Sequence, residues 1–370
     1  MPTRIAGVRV YRCELPVVGG VFRLARTRVS ALDATLVEVV TDAGVSGFGE
    51  TCPLGPAYQP EHARGARAAL AELAPHLLGL DPLRIDRARA VMDDALAGHR
   101  YAKAAVDIAL WDLAGKLYGA RVCDLLGGAA REQVPSYYSV GVVAPDEAAA
   151  AVAARRSEGY RRVQVKVGGR PLAVDLAAIR AACTAAGPDV RLAIDANRGW
   201  TTRDAVLASQ ACRDLPFVLE QPCETLDEIA AIRDRVHHPL YLDEAAADLA
   251  TVLTITARGL ADGLGLKVTR VGGLSAMRTI RDVCATRNLP ITSDDAWGGD
   301  VIAAACVHLG ATVDPRLFEG VWIAQPRIDG HYDPAHPVVV RDGHLQVPSG
   351  PGLGVTPDRD VLGAPVLSVA

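Results

Sequence analysis

Short apolar runs that each end in a charged residue recur along the chain from about residue 130 onward. The charged residues lie 29, 25, 23, 24, 27 and 25 positions apart, and they are Lys166, Asp195, Glu220, Asp243, Lys267, Asp294 and Glu319. Alanine- and arginine-rich stretches with the composition of helices separate the runs. A spacing near 25 residues is typical of one strand, one helix and two loops, the unit of a (β/α) barrel. With a first strand within Val134–Val140, the pattern predicts about eight such units before residue 325.

The first hundred or so residues follow a different pattern, in which strands and helices do not alternate. Period-2 alternation predicts strands at Ile5–Val10, Thr35–Val40 and Val45–Glu50, the last two forming a hairpin. Alanine-rich segments predict helices near 61–79 and near 83–98, and apolar positions at helical spacing predict a helix at Tyr101–Gly119. The last part of the chain returns to β character. We expect a hairpin there, between Val338–Val340 and Leu345–Val347, which rejoins the N-terminal block.

The charged residue that follows each barrel strand has a predictable place. The carboxyl ends of barrel strands form the face on which active sites are built, so we expect all seven charged groups at one rim. Three of them, Asp195, Glu220 and Asp243, follow successive strands and should converge. Like charges this close raise one another's pKa unless a cation lies between them. Hard oxygen ligands without Cys or His favour Mg²⁺; the alternative is that each carboxylate pairs with an arginine or caps the next helix.

Lys166 and Lys267 lie on the strands that flank the acidic trio. A single lysine at such a position is commonly a solvated rim residue. On opposite sides of a divalent cation that holds a substrate carboxylate, however, the pair gains a chemical role. The cation and partial burial lower a lysine pKa toward about 7–8, where the amine can act as a base. One lysine can then remove the proton next to the carboxylate and the other can return it from the opposite face, which inverts a stereocentre.

Composition excludes several other function classes. The net charge of −4 and the pI of about 6.1 do not favour nucleic acid or an anionic membrane surface as a partner. No stretch approaches the roughly 20 apolar residues of a membrane span, and the N-terminus lacks the features of an export signal. Eight scattered cysteines without a C-x-x-C pair indicate reduced thiols. We therefore expect a cytoplasmic protein.

Several motifs resemble those of the mandelate racemase/muconate lactonizing branch of the enolase superfamily, over essentially the whole chain. They are AKAAVDIALWDLAG at 102–115, DLLGG at 124–128, Asp195-Ala-Asn197, Glu220-Gln-Pro222 and Asp243-Glu244. The resemblance implies an α/β protein with a (β/α)7β modified TIM barrel at 129–335. It also implies an α+β capping domain that is formed by 1–128 and completed by 336–370.

The same resemblance implies the chemistry of the site. One Mg²⁺ is expected on Asp195, Glu220 and Asp243, with Lys166 and Lys267 as the acid/base groups. The substrate is then a small-molecule carboxylate, and the relatives are commonly homo-oligomers, so a homo-oligomer is expected.

Two positions distinguish this chain within the family. At the position of Lys267, mandelate racemase has an aspartate that works with a histidine from the next strand, and here that strand ends in Ser293-Asp-Asp295. The resemblance therefore implies lysine–lysine chemistry. The second barrel strand of the family often reads Lys-x-Lys, whereas this chain has Gln164-Val-Lys166. Alternation points Gln164 inward beside Lys166, so it is expected to line the substrate site without adding a positive charge.

Aromatic residues near the rim indicate a substrate class. Trp297 and Trp322 follow the seventh and eighth strand ends, and Tyr58 lies in a loop of the capping domain. An electron-rich ring suits a cation, above all a quaternary ammonium; the alternative is that these rings are apolar core at the barrel mouth. The segments GETCPLGPAY at 49–58, DDAWGGD at 294–300 and EGVWIAQP at 319–326 resemble the 4-hydroxyproline betaine 2-epimerases. That resemblance implies that Trp322 contacts the ammonium and that Tyr58 and Asp294 line the pocket, with Trp297 beside them.

The resulting prediction is an Mg²⁺-dependent epimerase or racemase. It moves one proton at the α-carbon of proline betaine or 4-hydroxyproline betaine through an enolate. The cis-3-hydroxy-L-proline dehydratases share the fold and both lysines, so a dehydratase is the alternative. A betaine-binding protein without catalysis is the hypothesis from a different class.

Overall fold

The N-terminal part of the chain forms an antiparallel sheet followed by helices. The computed structural model describes residues 3–23, 28–55, 58–295 and 297–370, apart from the side chain of Arg23. The strands are β1 (Ile5–Pro16), β2 (Phe22–Arg23), β3 (Arg28–Val29), β4 (Ala31–Thr41) and β5 (Ser46–Thr51). The helices are α1 (Ala63–Leu77), α2 (Ile85–Ala95), α3 (Arg100–Tyr118) and α4 (Val122–Leu125). Strand β4 pairs with both β1 and β5, which confirms the predicted strands and their hairpin.

Helix α3 packs directly on strand β5. A Cβ atom at Gly49 would collide with the carbonyl oxygen of Ala105, so only glycine permits this approach. Asp112 of the same helix accepts hydrogen bonds from the backbone N–H groups of Phe48 and Leu353, each at 2.8 Å. The motif at 102–115 therefore holds β5, the edge strand of the capping sheet, against helix α3.

The second part of the chain alternates strands and helices in a parallel barrel. A short strand outside the barrel sheet, β6 (Gln133–Pro135), comes first. The barrel strands are β7 (Tyr138–Val140), β8 (Arg162–Lys166), β9 (Arg191–Asp195), β10 (Val218–Glu220), β11 (Leu240–Leu242), β12 (Gly263–Leu264), β13 (Ile291–Thr292) and β14 (Phe318–Gly320). The helices are α5 (Pro145–Ser157), α6 (Leu172–Ala186), α7 (Thr202–Ala211), α8 (Leu226–Ile232), α9 (Leu249–Arg258), α10 (Val268–Val271), α11 (Leu274–Thr286) and α12 (Asp300–Ala311), and a 3-10 turn follows at Gln325–Arg327.

Strands β7 to β14 are neighbours in chain order within one eight-stranded parallel sheet. Seven helical crossovers join these eight strands, with α10 and α11 sharing one crossover. A parallel bridge between Ser136 and Val321 brings the two ends of the sheet together. The predicted (β/α)7β barrel is confirmed.

The C-terminal tail returns to both parts of the molecule. Strand β15 (His344–Gln346) pairs antiparallel with β6 in a separate two-stranded sheet, and helix α13 (Arg359–Leu362) follows it. Strand β16 (Leu367–Val369) pairs with β1 and extends the capping sheet. The proposed domain boundaries at 128/129 and 335/336 stay predictions.

The hairpin expected in this tail is wrong in its first strand. Residues 338–340 form no strand, and only Arg341 and His344 bridge across the turn. The reason is that Val338 donates its N–H to Asp300 Oδ1 at 3.1 Å, so the backbone is held by a side chain rather than by a partner strand.

A continuous apolar core joins the cap to the barrel. Its buried side chains include Leu36 and Phe48 of the cap, Ile108 of α3, and Val165 and Leu242 of the barrel. All eight cysteines are free thiols, as their spacing predicted. Within the described ranges, no helix has both the length and the apolar character needed to cross a bilayer.

Candidate active site

Six of the seven predicted charged residues lie at the carboxyl ends of the barrel strands. Lys166, Asp195 and Glu220 end β8, β9 and β10 and are direct neighbours in the parallel register. Further around the barrel, Asp243 follows β11 directly, and Lys267 and Asp294 form a parallel bridge beyond β12 and β13. The register therefore gathers these side chains at one rim.

Glu319 does not lie at this rim, which corrects the sequence prediction. Its carboxylate pairs with Arg191 and lies 3.7 Å from Arg162 Nε, and these two arginines begin β9 and β8 at the opposite end of the barrel. The register between β13 and β14 shifts by one residue. Ile291 pairs with Phe318 and Thr292 with Gly320, so Glu319 lies at the level of β13 itself, and Trp322 is the residue beside Asp294.

Asp195, Glu220 and Asp243 form a compact, buried carboxylate cluster. One oxygen from each carboxylate lies within 4.8 Å of the other two. Burial raises the pKa of Asp195 to about 7, and the like charges of Glu220 and Asp243 add to this against the opposing charge of Lys166. Burial also raises the pKa of Glu220. Three carboxylates in this arrangement repel one another, so the cluster is suited to a cation.

The donor set of this cluster fits Mg²⁺. All three ligand groups are hard carboxylate oxygens, which Mg²⁺ prefers over softer ligands. Oε2 of Glu220 is buried and accepts no hydrogen bond from any residue that the structure describes. Arg162 Nη2 lies 3.8 Å from it, beyond hydrogen-bonding distance, so this buried oxygen still lacks the partner that buried polar atoms normally have.

Arg270 is a site residue that the sequence analysis missed. Its Nη1 donates to Asp243 Oδ1 at 2.6 Å, and its Nη2 donates to the carbonyl oxygen of Gly265 at 2.7 Å. Burial raises the pKa of Asp243, but the charges of Lys267 and Arg270 outweigh burial and hold that pKa well below its usual range. The position three residues after Lys267, one helical turn away, was the available signal.

Lys166 and Lys267 approach the cluster from its two sides. Lys166 Nζ donates to Asp195 Oδ2 at 2.5 Å, and Lys267 Nζ donates to both oxygens of Asp243 at 2.5 Å. Strands β9, β10 and β11 separate the strand that carries Lys166 from the strand that precedes Lys267. Both amines line the same cavity. Their placement is the expected one, and their acid/base roles stay predictions.

Burial and neighbouring charges have opposite effects on the pKa of Lys166. Burial lowers the pKa of Lys166, but the charges of Asp195 and Glu220 outweigh burial and hold that pKa above its usual value. A divalent cation on these carboxylates reverses the local balance of charge. The lowered lysine pKa expected from the sequence therefore depends on that cation.

Gln164 contacts the carboxylate cluster. Its Nε2 donates to Glu220 Oε1 at 2.8 Å. Arg162, two residues earlier on the same inward face of β8, places Nη2 3.8 Å from Glu220 Oε2. The positive charge that the family usually has at position 164 is thus present one layer deeper in the barrel, at a residue that the sequence analysis did not single out.

A cavity at the barrel mouth contains the predicted substrate-binding residues. It encloses about 420 Å³ including its open mouth. Its lining includes both lysines and all five residues expected from the sequence, which are Tyr58, Gln164, Asp294, Trp297 and Trp322. Residues that were not anticipated complete it, among them Phe22, Leu54, Tyr137, Ser139 and Asp295.

Aromatic rings form one wall of this cavity. Trp297 and Trp322 meet edge to face with ring centroids 5.3 Å apart, and Phe22 meets Trp297 edge to face at 5.2 Å. Phe22 belongs to the cap and the tryptophans to the barrel, so both parts build the wall. Its ring faces carry partial negative charge, which attracts cations.

The carboxylate of Asp294 adds negative charge beside this wall. Its Oδ1 accepts from the backbone N–H of Trp322 at 2.7 Å. Its Oδ2 accepts from Tyr137 Oη at 2.9 Å and from Thr292 Oγ1. With three protein donors already bound, Asp294 has little capacity for further hydrogen bonds to a ligand.

Family models match both parts of the chain. A model for the mandelate racemase/muconate lactonizing enzyme N-terminal domain matches residues 8–127, and an enolase C-terminal domain-like model matches residues 146–361. These matches cover most of the capping sheet and the barrel.

Similar proteins and structures cover nearly the whole chain. A cis-3-hydroxy-L-proline dehydratase of Roseibium aggregatum is 39% identical, with 98% of this chain and 99% of that protein covered. An N-succinylamino acid racemase of an Amycolatopsis species is 32% identical, with 97% and 96% covered. The crystal structure of an enolase superfamily member from Roseovarius nubinhibens ISM, complexed with magnesium, has a TM-score of 0.94 at 37% identity and 99% coverage of both chains.

These similarities set aside the hypothesis of a betaine-binding protein without catalysis. The chain belongs to the mandelate racemase/muconate lactonizing enzyme family of the enolase superfamily, and it is an Mg²⁺-dependent enzyme that acts on small-molecule carboxylates.

Proposed function

We propose that this enzyme epimerises the α-carbon of an N-methylated proline, either proline betaine or 4-hydroxyproline betaine. The observation that carries the proposal is the combination, in one cavity, of two lysines on opposite sides with an aromatic wall beside Asp294. The lysines suit proton transfer at a carbon next to a carboxylate, and the wall suits a cationic group on that carbon.

Lys166 and Lys267 hold and move the proton. In one direction, one neutral amine removes the α-proton, and the ammonium group of the other lysine delivers a proton to the opposite face. The roles exchange in the reverse direction. Asp195, Glu220 and Asp243 would hold Mg²⁺, which when bound stabilises the negative charge that develops on the substrate carboxylate as the α-proton leaves.

The aromatic wall and Asp294 suit a quaternary ammonium. A quaternary ammonium has no N–H donor and binds through cation–π contacts and charge alone. Trp322 and Trp297 supply the rings, and Asp294 supplies the charge. A secondary ammonium would bring two N–H donors into the site, and Asp294 already accepts three hydrogen bonds from the protein.

A second candidate is the loss of water from cis-3-hydroxy-L-proline. The relative that is 39% identical bears the name of this activity. The opposed lysines also suit it, because one can remove the α-proton while the other protonates the hydroxyl that leaves from the opposite face. The two reactions share their first step and differ in what the second lysine protonates.

Proton NMR in D2O separates the two candidates. The purified enzyme with Mg²⁺ is incubated with proline betaine, 4-hydroxyproline betaine or cis-3-hydroxy-L-proline. We expect α-deuterium incorporation with both betaines and, with 4-hydroxyproline betaine, formation of its C2 epimer; proline betaine has one stereocentre and is racemised. Loss of water from cis-3-hydroxy-L-proline without turnover of either betaine would replace the epimerase proposal with the dehydratase. The cytoplasmic location, the homo-oligomer and the absence of nucleic-acid and membrane partners stay predictions.

A further inference from the structure

The N-terminus of helix α12 is capped by a residue that is far away in the sequence and belongs to the capping sheet. Its N-cap residue is Gly299, which has no side chain, although the first N–H groups of a helix need acceptors. Glu50, near the end of β5 in the capping sheet, provides them. Its Oε1 accepts from the Gly299 N–H at 2.7 Å, and its Oε2 accepts from the Ile302 N–H at 3.0 Å. A carboxylate is also favoured at this position by the helix dipole.

The two glycines before α12 make room for this contact. A Cβ atom at Gly298 would lie 3.0 Å from Glu50 Oε1 and would collide with the side chain of Ile302. A Cβ atom at Gly299 would collide with the ring of Tyr332, whose Oη donates to Glu50 Oε1 at 3.0 Å. The loop is therefore shaped around the Glu50 carboxylate and its tyrosine partner.

Trp297 of the aromatic wall directly precedes these glycines. Glycine gives a loop little stiffness of its own, so the position of the Trp297 ring depends on the anchor that follows it. We propose that Glu50 positions the cationic end of the substrate indirectly, through Trp297, without contacting the substrate itself. It holds Trp297 against Trp322 and Phe22. The nature of the ligand rests on the proposed function, whereas the anchoring of Trp297 does not.

Glu38 offers a matched control. It is a buried carboxylate in strand β4 of the same sheet. Its hydrogen bonds come from Tyr11, Ser46, Arg9 and Arg359, which belong to the cap and to the C-terminal tail. The variant E38Q therefore perturbs a buried acid of the cap without disturbing the Trp297 loop.

The test combines a fluorine signal with steady-state kinetics. The chain has four tryptophans, so 5-fluorotryptophan labelling gives four 19F resonances, and W297F assigns the one of interest. In E50Q one carboxylate oxygen becomes an amide NH2 group, which cannot accept a hydrogen bond. The bond from the backbone N–H of either Gly299 or Ile302 is therefore lost. We expect a shifted and broadened Trp297 resonance with those of Trp111 and Trp200 unchanged. The KM for proline betaine should rise about tenfold while kcat changes less than about threefold.

E38Q should leave both the Trp297 resonance and KM as in the wild type. An unaltered Trp297 resonance with an unaltered KM in E50Q would overturn the proposal, and so would an equal rise of KM in E38Q. If E50Q does not fold, Y332F removes one donor to Glu50 and keeps both backbone bonds. It should then shift the same resonance by a smaller amount, and no shift would again overturn the proposal. If the wild type fails to turn over betaines, the proposed function fails, while the fluorine readout still decides the role of Glu50.

Discussion

Tyr58 of the cap donates a hydrogen bond of 3.3 Å to Oδ2 of Asp243 in the barrel. Asp243 also accepts from Lys267 and Arg270, so this bond joins the cap to the carboxylate cluster. The Tyr58 backbone is itself held, because Arg198 Nη2 donates to its carbonyl oxygen at 2.7 Å. The cap therefore contributes to the geometry of a metal ligand as well as covering the substrate cavity.

We expect Y58F to weaken Mg²⁺ binding about tenfold, because residues that hold a ligand in place affect metal affinity even without touching the metal. The substitution keeps the ring and removes only the hydroxyl. Isothermal titration calorimetry with Mg²⁺ measures the effect. Y11F is the control, since Tyr11 Oη donates to Glu38 at 2.8 Å within the cap. Equal affinities for Y58F and Y11F would show that Asp243 does not depend on Tyr58.

Arg162 stabilises two buried carboxylates inside the barrel. Its Nη2 lies 3.8 Å from Glu220 and its Nε lies 3.7 Å from Glu319. R162M leaves buried negative charge without this partner, so the free energy of unfolding should fall by about 3 kcal/mol. Urea denaturation measures the loss. The double variant R162M/E319Q should recover part of it, and strictly additive losses would mean that Arg162 and Glu319 do not interact.

Trp322 should discriminate between cationic groups. A cation–π contact in a desolvated site contributes about 1–2 kcal/mol, so W322A should weaken binding of proline betaine about tenfold. Binding of L-proline, which lacks the N-methyl groups, should change much less. The affinities of both ligands for the wild type and for W322A are measured by competition in the turnover assay. Equal weakening of the two would indicate that Trp322 supplies shape rather than attraction for the methylated ammonium.

His308 makes the stability of the protein depend on pH. Its ring is buried, with Nδ1 3.4 Å from the Cys123 N–H and Nε2 3.1 Å from the carbonyl oxygen of Leu353. Burial lowers the pKa of His308 to about 4. The unfolded chain binds this proton near pH 6.5, so the stability from the neutral ring is complete above about pH 6.5. It is lost as the pH falls toward 4, by about 3 kcal/mol in all.

Urea denaturation at about pH 7 and about pH 5 checks this dependence in the wild type and H308Q. On acidification the free energy of unfolding of the wild type should fall relative to that of the variant. Burial raises the pKa of Glu50, Asp195 and Glu244 to about 7, which acts in the opposite sense but equally in both proteins. The same loss in wild type and variant would contradict the assignment to His308.

The barrel and its acidic cluster were predictable because a strand, a helix and two loops occupy a nearly constant length. That regularity placed Asp195, Glu220 and Asp243 at one rim from spacing alone. It failed at Glu319, where the register shifts by one residue between β13 and β14. The repeat length places Glu319 level with Asp294, but the strand continues past Glu319, and Trp322 lies beside Asp294 instead.

The supporting contacts of the site could not be predicted in this way. Glu50 and Gly299 are 249 positions apart, and their hydrogen bond exists only because the cap and the barrel pack together. Arg270 reaches Asp243 from the next crossover of the barrel. Glu50 and Gly299 lie in segments whose wording resembles a known family, but their contact depends on tertiary distances that periodicity does not encode.

The central claim is that Lys166 and Lys267 act on opposite faces of the α-carbon. It is tested most directly by following α-proton exchange in D2O by NMR, with each betaine epimer separately, in K166A and K267A. Both variants should lose epimerisation by about a thousandfold. Each should still exchange the α-proton of one epimer, and the retained epimer should differ between the two variants. Exchange of both epimers by both variants, or of the same epimer by both, would contradict the account.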